Sequence, residues 1–229
     1  MNSPESDARP LGRAWVFNLD WPTPPALAPF IPATFARLGP ETAEPLSHAM
    51  GLADPAEVLR RFEGERRCYG AYVAGAYVAG ALAAYGWVSF VEEEIGELRL
   101  RVRLVPGEAY VWDCATLPAY RQKRLYTALL AHVLGELRAE GLCRAWIGAD
   151  LANAASQNGI ARAGFQPVAD IVSAHAPTVP ALGMVGRPGV PEAVVMAARR
   201  AFLGDSEQAW LEALAAAKRD PTAFNSSEI

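Results

Sequence analysis

The 229-residue sequence predicts an α+β (α/β-like) fold with a helical appendage at the C-terminus. Three observations support this prediction. Residues 68–116 are rich in Tyr, Val and Trp, as successive strands are. After Pro118, segments with helical periodicity alternate with short apolar runs of strand length. At 52% hydrophobic residues, the chain can build a sizeable core and is too apolar to be intrinsically disordered.

The N-terminal quarter predicts a polar tail, a strand and two helices. Residues 1–13 are polar, and 14–19 form a short apolar run of strand length. Residues 24–38 begin with two prolines and carry apolar side chains at helical spacing, so we expect a helix there. Residues 54–62 predict a second, shorter helix.

The middle of the chain predicts the strands of a sheet. Two strands are expected in 68–89, joined by a turn near Ala74-Gly75. Residues 97–105 alternate Leu or Val with Glu or Arg, which is typical of a strand buried on one side. Residues 109–116 are apolar on both faces, as in a central strand.

The second half continues as helix, strand, helix and strand. The first of these helices begins near Arg124, carries a stripe of Leu residues and ends at Gly141. We expect a tail at 1–13, a domain at 14–179, and an extension at 180–229 made of a Pro/Gly-rich linker and two helices. The remaining predicted elements are a strand at 144–149, a helix at 153–163, a strand at 165–172, a linker at 180–189 and helices at 191–203 and 206–218.

Charge and composition exclude several classes of partner. The formal net charge of −4 argues against nucleic acid as a partner. We expect no membrane span and no secretory leader, because sustained Leu/Ile/Val density and a basic start before an apolar run are both lacking. Cys68, Cys114 and Cys143 are expected to be reduced core thiols of a cytoplasmic protein, with no metal site.

One segment carries unusual charge. Arg121, Lys123 and Arg124 lie where the helix is predicted to begin, although the free N–H groups of a helix N-terminus already make that end positive. Such a cluster favours a bound anion such as phosphate. The alternative is a solvated basic turn.

The same segment resembles the GNAT superfamily of acetyl-coenzyme A-dependent N-acetyltransferases. Its members show a strand, then Pro-x-Tyr-Arg, then Gln/Arg-x-x-Gly-x-Gly/Ala entering a helix. Here the strand is 111–116, the Pro-x-Tyr-Arg is 118–121 and the loop is 121–126. A second block, Asn153, Ser156 and Gly164-Phe165, has the family's spacing, and the element order matches from residue 14 to about 172.

The resemblance implies a mixed, mainly antiparallel central sheet flanked by helices, and acetyl-CoA as cosubstrate. It implies that main-chain groups pair with the pantetheine arm where the central strands separate, and that backbone N–H groups of the loop hold the pyrophosphate. Asn153 and Ser156 would contact the arm, the alternatives being a helix N-cap and a surface hydroxyl. The implied cofactor-binding residues are Ala115, Thr116, Leu117, Arg121, Gln122, Lys123, Arg124, Leu125, Tyr126, Asn153 and Ser156.

Three positions depart from the family pattern. Arg124 replaces the first loop glycine and Tyr126 the second small residue. Arg124 in the right-handed helical region would keep its N–H available and add a charge contact, or else its side chain would fill the pocket. Ile160 stands where many members place the tyrosine that protonates the departing thiolate.

Two candidates remain for the proton transfers. Asp113, between apolar neighbours in the central strand, is a candidate general base; the alternative is an ion pair with one of the arginines 99, 101 and 103. Tyr126 is a candidate proton donor, and the sequence does not separate it from Tyr110 and Tyr120. Weaker candidates are Glu108 as a base and Cys114 as an acyl carrier, although Cys114 has no nearby His.

The histidines are expected to have no catalytic part. We expect His48, His132 and His175 to face solvent or to pack, with His132 on the exposed side of its helix.

The acceptor side is poorly marked. The resemblance implies that the first two helices and the strand hairpins shape the acceptor pocket. Those regions offer the aromatic residues Trp21, Phe30, Phe35, Trp87 and Phe90, although aromatic residues here are expected to be mainly core. The acidic run Glu92–Glu94 favours either a cationic amine or a solvated loop. The helices after residue 190 pack on the domain or mediate a homodimer. The sequence therefore predicts an enzyme that transfers acetyl groups to a small-molecule or peptide amine; the alternatives are a non-catalytic CoA-binding module and an interaction protein with a degenerate cleft.

Overall fold

A central eight-stranded sheet with helices on both faces organises the molecule. The computed structural model describes residues 9–22, 28–64, 66–73, 80–98, 100–175 and 180–204, together with Gln208 and Glu212. The strands are β1 (Arg9–Asn18), β2 (Ala33–Leu38), β3 (Arg67–Val73), β4 (Ala81–Ser89), β5 (Glu92–Ile95), β6 (Leu100–Arg103), β7 (Glu108–Thr116), β8 (Arg144–Asp150), β9 (Gln166–His175) and β10 (Pro180–Gly186). The helices are α1 (Ala43–Met50), α2 (Ala56–Glu63), α3 (Leu125–Ala139), α4 (Ala154–Arg162) and α5 (Glu192–Phe202).

The order of the main sheet is β10-β9-β1-β8-β7-β4-β3-β2, and β5 and β6 form a separate hairpin. Among the described strands, β7 and β8 form the one parallel pair; all other pairs are antiparallel. The predicted α+β fold with a mixed, mainly antiparallel sheet is confirmed.

Each face of the sheet buries its own set of side chains. Helices α3 and α4 cover one face, where Leu129, Leu130 and Val133 are buried. On the other face, α1 and α2 cover β3 and β4, whereas α5 covers β8, β1 and β9. Phe202 of α5 is fully buried against Tyr110 and Trp146. This contact shows that α5 packs on the domain, which was one of the two expectations for the helices after residue 190.

The predicted helix over 24–38 is wrong in its second half. Residues 33–38 form β2 and pair with β3 in register, Phe35 opposite Ala71. Pro29 and Pro32 would each remove a hydrogen-bond donor from a helix interior, so the prolines were the signal that the helical spacing concealed. Residues 23–27 lie outside the described part of the chain.

Three other N-terminal and central expectations need correction. The predicted polar tail of residues 1–13 contains the start of β1 at Arg9, which lies between β8 and β9. Helix α1 was not predicted. The predicted strand 97–105 is shorter, although Leu100 and Val102 are buried as the alternation indicated. The expected turn at 74–75 lies outside the described residues.

The predicted linker at 180–189 is also wrong in part, because β10 extends the sheet there by pairing with β9. Pro191 precedes α5, as expected for the helix at 191–203. Apart from Gln208 and Glu212, the predicted helix at 206–218 lies outside the described residues. No helix in the described ranges is long and apolar enough to cross a bilayer.

Candidate active site

The two parallel central strands separate and open a wedge in the sheet. Pairing between β7 and β8 ends at Val111 opposite Ile147, but β7 continues to Thr116 and β8 to Asp150. Beyond Val111, β7 stays paired with β4 on its other side, through Ala115 and Thr116. The β7 edge that faces the wedge therefore offers main-chain groups to a ligand, at the position that the resemblance implied.

A β-bulge lies at the widening of the wedge. Between Trp112 and Ala115 the register of β7 against β4 shifts, and Asp113 has a positive φ of 40°. A bulge leaves one residue unpaired and turns its side chain out of the alternation. Asp113 is consequently displaced from the buried strand pattern that its neighbours suggested.

The Asp113 carboxylate lies at the surface rather than in the core. Its Oδ2 is 2.5 Å from a guanidinium nitrogen of Arg61 in α2, and its side chain is 33% exposed. The Arg61 guanidinium also lies 4.8 Å from the centroid of the Trp112 ring. The predicted alternative, an ion pair with one of the arginines 99, 101 and 103, is wrong in its partner, because α2 rather than the neighbouring hairpin covers this part of β7.

The loop between β7 and α3 keeps a glycine-like backbone without glycine. Gln122 and Arg124 both have φ of 61°, in the left-handed region that glycine adopts most easily. The expected right-handed conformation of Arg124 is wrong; Arg124 is the left-handed N-cap of α3. Within the described chain, no group accepts a hydrogen bond from the N–H groups of residues 122–127.

The cations of this loop lack carboxylate partners. Within the described residues, Arg121, Lys123 and Arg124 form no ion pair, whereas Arg61 and Arg144 each hold a carboxylate. The Arg121 Nε instead donates to the Thr116 carbonyl oxygen. Unpaired positive charge beside unpaired N–H donors is the electrostatic requirement of a phosphate site.

Phe30 contacts this loop from the segment before β2. Its N–H donates to the Lys123 carbonyl oxygen at 2.9 Å. The Arg124 guanidinium carbon lies 4.2 Å from the centroid of the Phe30 ring. Phe30 was expected to be a core residue, but it is 65% exposed. The sequence placed Phe30 only among the aromatic residues near the acceptor side. Its contact with the loop had no signal, because residue 30 reaches residues 123 and 124 only in the folded chain.

Tyr126 connects the beginnings of α3 and α4. Its hydroxyl lies 3.1 Å from the Ser156 Oγ, and its ring packs on Gly159. Burial raises the pKa of Tyr126, with a further contribution from Cys114, so that the phenol stays protonated. Ile160 is fully buried and apolar, so it offers no proton donor.

Asn153 caps α4. Its side-chain oxygen accepts the Ser156 N–H at 3.0 Å, which is the N-cap function considered for this residue. Ser156 is more than a surface hydroxyl, since it bonds Tyr126.

Thr116 and Leu117 complete the wall of the wedge. Leu117 donates its N–H to the Ala83 carbonyl oxygen at 2.9 Å, which anchors the loop to β4. The Thr116 Oγ1 is buried and has no hydrogen-bond partner. The structure therefore brings the implied residues of β7, the loop, α3 and α4 to one end of the sheet.

The acidic groups that were weighed elsewhere serve as structural ion-pair partners. Glu108 is buried and bonded to Arg144 and Arg200, so it joins β7 to α5 and lies at the far end of the strand from the wedge. Glu93 is not in a solvated loop; it is buried in β5 and bonded to Arg66 and Ser89.

The cysteine and histidine expectations hold only in part. Burial raises the pKa of the Cys114 thiol well above its usual range, so Cys114 is a poor nucleophile. Cys143 is exposed, which corrects the expectation of a core thiol. His132 is not on an exposed face; its ring stacks on Phe35 at 5.7 Å between centroids and meets the edge of Tyr69.

A profile of the acetyltransferase (GNAT) family matches residues 37–165. The chain belongs to this family, whose members transfer acetyl groups. The match begins inside β2, so β1 lies outside it.

Several solved structures are similar to this chain at low sequence identity. A GCN5-related N-acetyltransferase from Sphaerobacter thermophilus has a TM-score of 0.52 at 16% identity, covering 82% of this chain and 56% of its own. The glucosamine N-acetyltransferase region of a fungal multi-domain GH3 β-N-acetylglucosaminidase has a TM-score of 0.50 at 12% identity, covering 71% of this chain and 21% of its own. A GNAT-family acetyltransferase from Colwellia psychrerythraea has a TM-score of 0.47 at 18% identity, covering 72% and 55%. The chain thus spans little more than half the length of the Sphaerobacter and Colwellia proteins, and no curated protein matches it significantly.

Coenzyme A has the chemistry that this site can accommodate. Its phosphates suit the cations Arg121, Lys123 and Arg124 and the N–H groups of residues 122–127, and its pantetheine amides suit the unpaired edge of β7. The bulky Tyr126 ring packs against α4 at Gly159, where a Cβ would lie 2.4 Å from the ring. The residues present therefore fit the group that the family uses.

Proposed function

We propose that this protein is an N-acetyltransferase that moves an acetyl group from acetyl-CoA to the primary amine of a small molecule or a peptide by direct transfer. The observation that carries the proposal concerns the loop beside the open edge of β7. Among the described residues, Arg121, Lys123 and Arg124 have no carboxylate partner and the N–H groups of residues 122–127 have no acceptor. The three cysteines are free, which is consistent with the cytoplasm as the compartment. The comparisons do not favour the alternatives of a non-catalytic CoA-binding module or an interaction protein.

Cofactor binding is assigned to main-chain groups. The N–H groups of residues 122–127 hold the diphosphate, with Arg121 and Lys123 supplying charge. Residues 115–117 pair with the pantetheine amides as an added strand would. Asn153 shapes the opposite wall by fixing the first turn of α4.

Two side chains are assigned to proton transfer. Bound acetyl-CoA supplies the activated acetyl thioester. As the bond from the acceptor nitrogen to the acetyl carbon forms and the carbon–sulfur bond breaks, the Asp113 carboxylate accepts a proton from the nitrogen. The Tyr126 hydroxyl, whose raised pKa leaves it protonated at neutral pH, donates a proton to the sulfur. Ser156, 3.1 Å from the hydroxyl, orients it.

Acetyl transfer can be tested directly. Calorimetric titration of the purified chain with acetyl-CoA should show micromolar binding. A panel containing a polyamine, an amino sugar, a lysine-containing peptide and a free peptide N-terminus should then show thiol release that depends on the amine, with acetylated product detected by mass. Thiol release without amine is the control. Binding without transfer to any primary amine would contradict the proposed function.

A further inference from the structure

Arg124 has an unusual combination of backbone and side-chain constraints. It holds a left-handed backbone conformation that glycine adopts more easily than any other residue. Within the described residues it has no carboxylate partner, and its guanidinium lies over the ring of Phe30. An aromatic face therefore restrains a long side chain beside the loop that carries the free N–H groups.

The restraint leaves the hydrogen-bonding edge of the guanidinium available. A guanidinium binds an aromatic ring through its face, and it binds phosphate through the N–H groups in its plane. The Arg124 guanidinium carbon lies over the Phe30 ring, 4.2 Å from its centroid. A guanidinium stacked face to face on a ring keeps its in-plane N–H groups for a phosphate. The two interactions can therefore operate together.

The position of Phe30 is itself fixed relative to the loop. Its N–H donates a hydrogen bond to the carbonyl oxygen of Lys123, the residue directly before Arg124. This hydrogen bond joins the segment before β2 to the loop whose cations have no carboxylate partner among the described residues. The Arg124 side chain contacts this segment at Phe30, whereas the side chain of Tyr126 contacts Ser156 and Gly159 of α4.

We infer that Phe30 positions Arg124 as a ligand of the diphosphate of coenzyme A, so that a stacked arginine replaces the glycine of the phosphate loop. The inference rests on the proposed function for the identity of the ligand. Arg124 keeps the backbone shape of glycine and adds a charge, and Phe30 prevents that side chain from entering the wedge.

Calorimetric titration with three probes tests the assignment: CoA, dephospho-CoA and pantetheine. Phe30→Leu keeps apolar bulk but removes the ring face, and should raise the Kd for CoA and for dephospho-CoA roughly 3- to 10-fold. The Kd for pantetheine, which lacks the diphosphate, should not change. Phe30→Trp should retain the wild-type affinity for all three probes.

A double-mutant cycle links the two residues. Arg124→Gln should weaken CoA binding at least as much as Phe30→Leu, and adding Phe30→Leu to Arg124→Gln should have no further effect. Arg124→Gly should raise the melting temperature, since glycine suits the left-handed position, and yet weaken CoA binding. Tighter binding by Arg124→Gly would show that the arginine blocks the site and would overturn the inference.

Other outcomes also decide the matter. Equal losses for CoA and pantetheine, losses confined to CoA and absent with dephospho-CoA, or additive effects in the cycle would each overturn the inference. CoA binding that responds to Phe30 as expected, without transfer to any amine, would refute the proposed function and leave this inference standing. Acetyl transfer by wild type, together with unchanged CoA affinity in the Phe30 variants, would support the proposed function and refute this inference. An absence of CoA binding by wild type would overturn both the proposed function and this inference.

Discussion

The ring of Tyr126 occupies the space that a side chain at Gly159 would need. A Cβ built on Gly159 would lie 2.4 Å from Cδ1 and 2.7 Å from Cε1 of Tyr126. The glycine in α4 is therefore matched to the tyrosine in α3, which stands where the family pattern has a small residue. The absence of a side chain at Gly159 thus makes room for the large ring of Tyr126 at the edge of the wedge.

This pairing predicts opposite effects of one substitution in two backgrounds. Gly159→Ala should destabilise the wild-type protein by roughly 1–3 kcal/mol, because the added methyl group would overlap the Tyr126 ring, whose hydroxyl is bonded to Ser156. In a Tyr126→Ala background the same change should stabilise by about 1 kcal/mol, since alanine is the better helix former. Denaturant unfolding measures both, and equal effects in the two backgrounds would contradict the contact.

Tyr126→Phe should separate the hydroxyl from the ring. The ring keeps its place on Gly159, so the melting temperature and the Kd for acetyl-CoA should stay close to wild type. The kcat of acetyl transfer should fall roughly 10²-fold if the hydroxyl is the proton donor. Ser156→Ala is the matched control, because it removes the bond to the hydroxyl but keeps the proton; it should lose much less. Unchanged kcat in Tyr126→Phe would remove the tyrosine from the mechanism.

Asp113→Asn tests the assigned base. The kcat at neutral pH should fall roughly 10²-fold or more, while CoA affinity stays unchanged. Arg61→Gln is the control, since it breaks the same ion pair and leaves the carboxylate in place. Both variants should unfold within about 1 kcal/mol of wild type, because the pair is partly exposed. Similar kcat losses in the two variants would assign Asp113 a structural role only.

His132 predicts a pH dependence of stability. Burial lowers its pKa, with Glu136 acting in the opposite direction. As the pH falls, the imidazole is therefore protonated in the unfolded chain before it is protonated in the folded one. The contribution of neutral His132 to the free energy of unfolding is fully present above pH 6.5, the ordinary pKa of histidine, and is lost as the pH falls through the pKa of the folded state.

The slope of unfolding free energy against pH below 6.5 should thus fall by up to about 1.4 kcal/mol per pH unit in His132→Leu. His48 is exposed on α1, so His48→Gln provides the control and should keep the wild-type slope. A slope unchanged by His132→Leu would mean that the imidazole is protonated as easily in the fold as in the unfolded chain.

Local patterns predicted most elements of the sheet and its helices. The alternation at Leu100 and Val102, the Leu stripe of α3 and the Asn153 cap all involve residues a few positions apart, and the structure shows each of them. The local pattern failed at residues 33–38, where helical spacing predicted a helix. Pro32 disfavours that helix, and the pairing of Phe35 with Ala71 produces a strand instead.

The sequence by itself determined the fold class, the family and the loop that faces the wedge, because those depend on spacing along the chain. Only the tertiary structure decided the partners: Arg61 for Asp113, Phe30 for Arg124, Gly159 for Tyr126, and the place of β1 between β8 and β9. Such contacts join residues tens of positions apart. Periodicity records which face of an element is buried, but not which distant side chain lies opposite, so these pairs emerge only when the sheet and helices are assembled.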